Sequence, residues 1–377
     1  MMHFTIGRET AIRALSEVAP VIEPHNSIPI LANVKIAATE TEVAFSAADL
    51  DIYATATAAI RGSQWPKPSP GETTAPGQSL LKFLKATPKG SEVEFQEDEK
   101  GLTIRAARAR AVFPTLASDE FPVGSEPLNP ACDFTMPAGT LARELGRVSH
   151  AISTEETRDY LNGVYFHSED GHLRLVATDG HRMGVSDLPA VKIELPGVIL
   201  PSKTVRLLVK SLTGSKEQVS VKDDIVGSFI PAKAVFTHNG LRLVSRLING
   251  QFPDYTRIIP TGNENTLIVR AREASEAIKR LVALSGKNQA VALKLTTGGT
   301  IELSVSGEGG EVTETIDGQY RGPFRDMIVG FNARYLLETL AACGEEIHGH
   351  FADPASPALF TSPDSPDYRE VLMPLRV

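Results

Sequence analysis

The chain has 377 residues, a net charge of −8, 42% hydrophobic and 22% charged residues, and two cysteines. That length suits two or three ordinary domains, and the composition is that of a globular protein rather than a fibrous, disordered or bilayer-embedded one. No apolar run approaches the ~20 residues of a membrane-spanning helix, the opening MMHFTIGRET carries no secretory apolar core, and Cys132 and Cys343 suggest neither a disulfide framework nor a metal cluster, so a reducing cytoplasm without membrane attachment is expected.

In chain order, a strand opening at Phe4 leads into a helix over 10–20. Alternating strands follow at 34–38 and 43–47, then a Pro- and Gly-rich stretch, 61–77, that reads as a loop. A short helix at 79–87 and strands at 93–96 and 102–106 complete the series, and 120–131 reads as a joint. The order then begins again. Phe134 opens FTMPAGTLARELGRVSHAI 130 residues after Phe4, and Leu267 opens LIVRAREASEAIKRLVALS after a further 133. The second series carries helices at 138–151 and 202–212, strands at 164–167, 173–177 and 241–247, and turns at 169–171 and 238–240. In the first of these helices Leu141, Leu145 and Val148 recur at three- and four-residue spacing, the mark of one buried face. The third series follows a joint at 260–266 and has helices at 271–285 and 332–342, a surface loop at 352–367 and a last strand at 368–377. A repeat this long exceeds the ~20–50 residues of solenoid units. It is a whole domain used three times, giving limits of 1–129, 130–260 and 261–377. Two helices and about eight antiparallel strands in each make an α+β fold with helices on one sheet face.

Charge is unevenly distributed. The six helices sum to +7 and the remainder to −15. Basic helices on an acidic body suit a surface that attracts phosphate while the rest repels it; solvated helix faces also carry such charges.

SIPILANVKI (27–36), TRDYLNGVYF (157–166), VATDGHRMGV (176–185), LINGQFPDYTRIIP (247–260) and the ending VLMPLRV resemble, in order and over the whole chain, the bacterial DNA polymerase III beta subunit, the sliding clamp. The resemblance implies a head-to-tail homodimer in which two chains of three clamp domains close a six-domain ring. Double-stranded DNA passes through it without sequence preference, and the ring slides with DNA polymerase III. It also implies that the polymerase, the clamp loader and other factors insert a short peptide into an apolar cleft. The matching positions are Leu161, Thr178, Gly180, His181, Arg182, Met183, Pro253, Ile258, Val371 and Met373, with His181 and Arg182 of exposed type. Val371 and Met373 alternate on the last strand and so share a face, and Leu161, Ile258 and Val371 also read as plain core. The DNA-facing set is His25, Lys82, Lys85, Arg143, Arg147, Arg158, Lys203, Arg206, Lys210, Arg257, Lys279 and Arg280; Arg143/Arg147 and Arg206/Lys210 each share a helix face. Phosphate contacts add salt-dependent affinity without reading sequence, so a modest lining charge suits a slider. His25, Asp159 and Gln78 depart from the family pattern. They raise the alternative of a second-copy or specialised clamp acting mainly as a protein scaffold.

An enzyme is the rival reading. Asp49 with Asp51, or Asp179 with His181, could form an acid–base or metal pair, and His348-x-His350 is another lone pair. No third ligand sits nearby in sequence and no GxxxxGK phosphate loop occurs. Neither catalysis nor a cofactor or metal is expected.

Overall fold

The computed structural model describes residues 1–23, 27–60, 67–122, 124, 132–213, 224–230, 232–283, 290–307 and 310–377. One order of elements occurs three times, the third with an extra short strand. The first series is β1 (His3–Gly7), α1 (Arg8–Val18), β2 (Asn33–Ala38), β3 (Glu42–Ala48), β4 (Ile52–Ala59), β5 (Gly71–Pro76), α2 (Gly77–Ala86), β6 (Glu92–Asp98), β7 (Gly101–Ala106) and β8 (Ala109–Phe113). The second is β9 (Cys132–Pro137), α3 (Ala138–Ser149), β10 (Gly163–Glu169), β11 (His172–Thr178), β12 (Arg182–Lys192), β13 (Val198–Pro201), α4 (Ser202–Thr213), β14 (Asp224–Ile230), β15 (Lys233–His238) and β16 (Leu241–Arg246). The third is β17 (Asn265–Arg270), α5 (Ala271–Ala283), β18 (Ala290–Thr296), β19 (Thr300–Gly307), β20 (Gly310–Asp317), β21 (Gln319–Arg321), β22 (Asp326–Asn332), α6 (Ala333–Cys343), β23 (Glu346–Phe351), β24 (Ala358–Thr361) and β25 (Tyr368–Leu372).

The helices form where apolar residues recur at helical spacing. Ala271, Ala274, Ala277, Ile278 and Leu281 are the buried stripe of α5. The Asn332 side chain caps α6 by accepting from the Arg334 and Tyr335 amides at 3.0 and 3.2 Å. Buried Arg8 donates to the last carbonyls of α2, Leu84 at 3.0 Å and Lys85 at 2.8 Å, so the first helix closes the end of the second.

Four expectations change. Residues 71–76, expected in a loop, are β5, paired rung for rung with β2, and α2 begins at once after them. Thr73, Thr74 and Ala75 are buried there, and Pro76 falls on the last rung, where a missing amide is tolerated; 61–66 lie outside the described residues. The expected loop 352–367 contains β24, whose short ALFT run was hidden among prolines and serines. The joint 260–266 ends two residues early, at Asn265, and strand 368–377 stops at Leu372, leaving one further bridge, Gly330 to Leu375.

The chain divides into two compact units, Met1–Thr140 with Arg206–Leu247, and Leu141–Val205 with Ile248–Val377. The first holds an eight-stranded sheet, β5-β2-β3-β4-β16-β15-β14-β9, and a four-stranded one, β1-β6-β7-β8. The second holds a nine-stranded sheet, β13-β10-β11-β12-β25-β24-β23-β17-β21, and a four-stranded one, β20-β19-β18-β22. In each large sheet, strands of two successive series pair directly: β4 with β16, Ala56 opposite Leu241, and β12 with β25, Met183 opposite Val371.

Candidate peptide-binding surface and cationic helix faces

The nine-stranded sheet has a helix side and an outer side, set by the two-residue alternation of its strands. On the helix side Gly184 lies against α3, where an added Cβ would stand 3.3 Å from the Val148 Cα. The outer side carries Thr178, Met183, Val371 and Leu359 in one row across β11, β12, β25 and β24, and Ile199, Tyr165, Val176 and Val185 in the next across β13, β10, β11 and β12. Most of these residues join Leu161, Phe252 and Tyr255 in one apolar cluster.

The chain after β16 lies across this outer side. Phe252 stacks flat on Tyr165, centroids 4.6 Å apart, and Tyr255 inserts beside it. With those two buried, Pro253 and Ile258 are left exposed, Ile258 at 49%. Met373 is 37% exposed and its amide donates to the His181 carbonyl at 2.9 Å. The structure therefore brings nine of the ten predicted positions to one surface. Leu161, Met183 and Val371 are its buried floor, and His181, Pro253, Ile258 and Met373 its exposed rim. Thr178 and Gly180 shape the β11–β12 turn: the Thr178 hydroxyl donates to the Arg182 carbonyl at 2.7 Å, and Gly180 takes a φ of +88°, which favours glycine.

Arg182 differs from the expectation of an exposed side chain. It is 5% exposed and points to the helix side. Its guanidinium binds Asp179 at 3.0 Å, Glu338 and the His150 carbonyl, and lies 4.2 Å from the Tyr335 ring centroid. Tyr335 was not found by sequence. Its ring also stacks at 6.3 Å on His181, at the rim. The only local signal was an aromatic in the helix ARYLLETLAA, far from the other site residues in sequence.

The cationic positions fall into two groups. Lys82, Lys85, Arg206, Lys210 and Lys279 are exposed on α2, α4 and α5 with no ion pair among the described residues. Others are held by carboxylates: Arg143 and Arg147 by Glu144 at 2.6 and 3.3 Å, Arg158 by Glu155 at 3.3 Å, and Arg257 by Asp254 at 2.7 Å. Arg280 pairs with Glu314, and that hydrogen bond with its charge holds the Glu314 carboxyl below the usual range. Lys203 is half-buried on α4, and His25 lies outside the described residues. Of the other departures, Gln78 donates to the Ala19 carbonyl at 3.1 Å and Asp159 accepts from the Tyr160 amide at 2.8 Å.

The carboxylates of the enzyme reading are turn formers. Asp49 accepts from the Asp51 and Ile52 amides at 3.1 and 2.6 Å, and Asp179 from the His181 and Arg182 amides at 2.9 and 3.1 Å. His348 bonds Glu346 and His350 bonds Thr361. No group of three or more His, Cys, Asp or Glu side chains that could hold a metal ion occurs among the described residues. No helix among them is long and apolar enough to cross a membrane.

Three family models match the chain in succession: DNA polymerase III beta subunit, N-terminal domain, over 2–125; central domain over 135–254; and C-terminal domain over 256–376. The beta sliding clamp of Caulobacter vibrioides is 37% identical over 100% of both chains, and that of Pseudomonas aeruginosa 30% over the same full coverage. Among solved structures, a sliding clamp (DNA polymerase III subunit beta) from Bartonella birtlesii bound to griselimycin matches with a TM-score of 0.91 at 33% identity, covering 100% of both chains. Caulobacter crescentus pol III beta matches at 0.88 and 35%, with the same coverage.

Proposed function

The chain belongs to the DNA polymerase III beta subunit family, and on that premise we propose that it is a DNA sliding clamp, a non-catalytic processivity factor that encircles duplex DNA in the cytoplasm and tethers the replicative polymerase. The observation that carries this reading is the succession of all three clamp domains over the full chain, with full coverage of relatives named sliding clamps. The scaffold alternative is not favoured by these matches. The domain limits we assign are 1–129, 130–260 and 261–377.

The exposed cations of α2, α4 and α5 are the DNA-facing charges, and five unpaired positions give attraction without the tight hold a fully basic lining would exert. The surface floored by Leu161, Met183 and Val371 takes the peptide of the polymerase, the clamp loader or another clamp-binding factor. Its Met residues suit a site that accepts related sequences, being flexible and polarizable.

Ring closure uses the free edges of the two four-stranded sheets. β8 pairs only with β7 and β20 only with β19 among the described residues. β8 exposes Val112 and Arg110, with Arg108 in the preceding turn, and β20 exposes Glu311 and Asp317. An antiparallel pairing of one chain's β8 with its partner's β20 satisfies both rows of backbone groups and matches charge to charge. Repeated head to tail, it closes a dimer.

Retention on DNA after loading by the cognate clamp loader tests the function. Persistence on a closed circle with loss from the same DNA linearised is the expected result. Equal loss from both would support a scaffold, and equal persistence on both would mean ordinary DNA affinity without encirclement.

A further inference from the structure

The segment that supplies the exposed Pro253 and Ile258 has no regular secondary structure beyond one short turn, Thr256–Ile258. Its position depends on what holds Phe252 and Tyr255. Phe252 is held by apolar contacts, its flat stack on Tyr165 and its place in the buried cluster. Tyr255, 3% exposed, is also held through its hydroxyl, which lies 2.8 Å from His167 Nε2 and 3.3 Å from Arg174 Nη1. His167 is buried on β10, and its Nδ1 lies 3.0 Å from the Ser168 carbonyl.

A neutral His167 satisfies this chain of groups with one arrangement of protons. The Ser168 carbonyl only accepts, so Nδ1 carries the proton and donates to it. Nε2 is then an acceptor and receives the Tyr255 hydroxyl proton. The Tyr255 oxygen receives an N–H from Arg174, which only donates. Arg174 is fixed in turn by Asp187 and by Glu169 at 3.3 Å, and Asp187 also binds Arg369 at 2.8 Å. β10, β11, β12 and β25 each supply a charged or titratable group to this network.

We propose that the Tyr255 hydroxyl is a latch that seats the 252–259 segment, and with it the Pro253 and Ile258 wall of the peptide site, and that protonation of His167 opens it. A second proton places an N–H on Nε2. Two donors, His167 and Arg174, then converge on the Tyr255 oxygen, and the hydroxyl proton loses its acceptor in a buried place. A buried donor without a partner is costly, and the imidazolium also meets the Arg174 charge. Burial pushes the His167 pKa below its ordinary value against the pull of the Ser168 carbonyl; Arg174 lowers it further, while Glu169 and Asp187 oppose the change. The latch is therefore closed at neutral pH and opens on acidification. His167 and Tyr255 are positioning residues, acting on the ligand through Pro253 and Ile258.

The inference rests on the peptide-site reading, and two measurements keep the two apart. The first needs no ligand: hydrogen exchange of the 252–259 amides, corrected for intrinsic rate, at pH 7.5 and 5.5. Wild type is expected to lose protection at least fivefold on acidification. His167→Gln, whose amide oxygen still faces the hydroxyl but does not titrate, is expected to show no such loss. The second is binding of a fluorescein-labelled ten-residue peptide ending in two large apolar residues. The wild-type dissociation constant should rise at least fivefold between the two pH values. In His167→Gln most of that rise should vanish, and Tyr255→Phe should bind more weakly at pH 7.5. Equal pH profiles for wild type and His167→Gln in both measurements would overturn the latch. A pH-dependent exchange that follows His167, with no peptide bound by wild type at pH 7.5, would uphold the latch and overturn the peptide-site reading.

Discussion

Arg182 and Met183 are consecutive residues of one strand that serve opposite faces of the same sheet. Met183 lies in the outer row with Val371, and Arg182 turns inward to bind Glu338 of α6 and the His150 carbonyl just after α3. The peptide surface and the two helices behind it thus hang on neighbouring positions of β12. Sequence places both residues in one motif; only the strand's alternation separates their tasks.

The separation has a measurable consequence. Arg182→Met removes the cation from a buried cluster and leaves Glu338, Asp179 and the His150 carbonyl without their donor. Losing one partner of such a pair costs about 3 kcal/mol. Chemical denaturation should show a loss of that order, and a variant as stable as wild type would mean that the helix-side contacts contribute little.

On the outer face the reverse pattern is expected. His181→Ala combined with Met373→Ala removes two exposed rim side chains and leaves the floor intact. Peptide affinity should fall at least tenfold while the melting temperature stays within about a degree, because exposed substitutions away from caps and cores change stability by less than ~0.5 kcal/mol each. Unchanged affinity would remove the site assignment.

Glu338 should mark the acid limit of stability. Burial alone would raise its pKa from 4.5, but Arg182 and Arg334 hold it below that value. A folded-state pKa below the unfolded one means the unfolded state takes up the proton first as pH falls. The contribution is complete above the ordinary value of 4.5 and is lost as pH drops through the lower, folded value. Melting temperatures measured from pH 6 to pH 3 should therefore fall more steeply for wild type than for Glu338→Gln.

Charge reversal on α4 tests the DNA face. Arg206 and Lys210 lie four residues apart, both exposed. Arg206→Glu with Lys210→Glu replaces two attractive charges by two repulsive ones. Loading onto primed circles should drop severalfold, more at low salt than at high, with circular dichroism unchanged. Normal loading would show that this helix does not face DNA.

The free edge of β8 predicts the assembly. Val112, 47% exposed, becomes interior once a partner's β20 is added. Val112→Asp puts a negative charge on an edge proposed to meet the acidic β20. Sedimentation should show the dimer dissociation constant raised at least tenfold, and a variant that stays dimeric would place the interface elsewhere.

Much of this was legible in the sequence because it is written as period. Each of the six helices begins within two residues of its expected start, since helical spacing of apolar residues is imposed by burial. β5 and β24 were missed because turn-forming residues surround them, and pairing with β2 or with β23 and β25, not local preference, makes them strands. The site follows the same logic. The YLNG, ATDGHR and FPDY segments announced their shared surface. Tyr335, the inward turn of Arg182 and the His167–Tyr255 bond depend on which residues meet across distant strands and helices, and no short motif records that.

The pairing of β12 with β25 also sets an order in time. Met183 waits for Val371, made half a chain later. During synthesis the outer row of this sheet stays open beside β12 until β25 has left the ribosome. A chain broken off ahead of β25 lacks the strand that completes the row, so the surface through Met183 cannot form piecemeal.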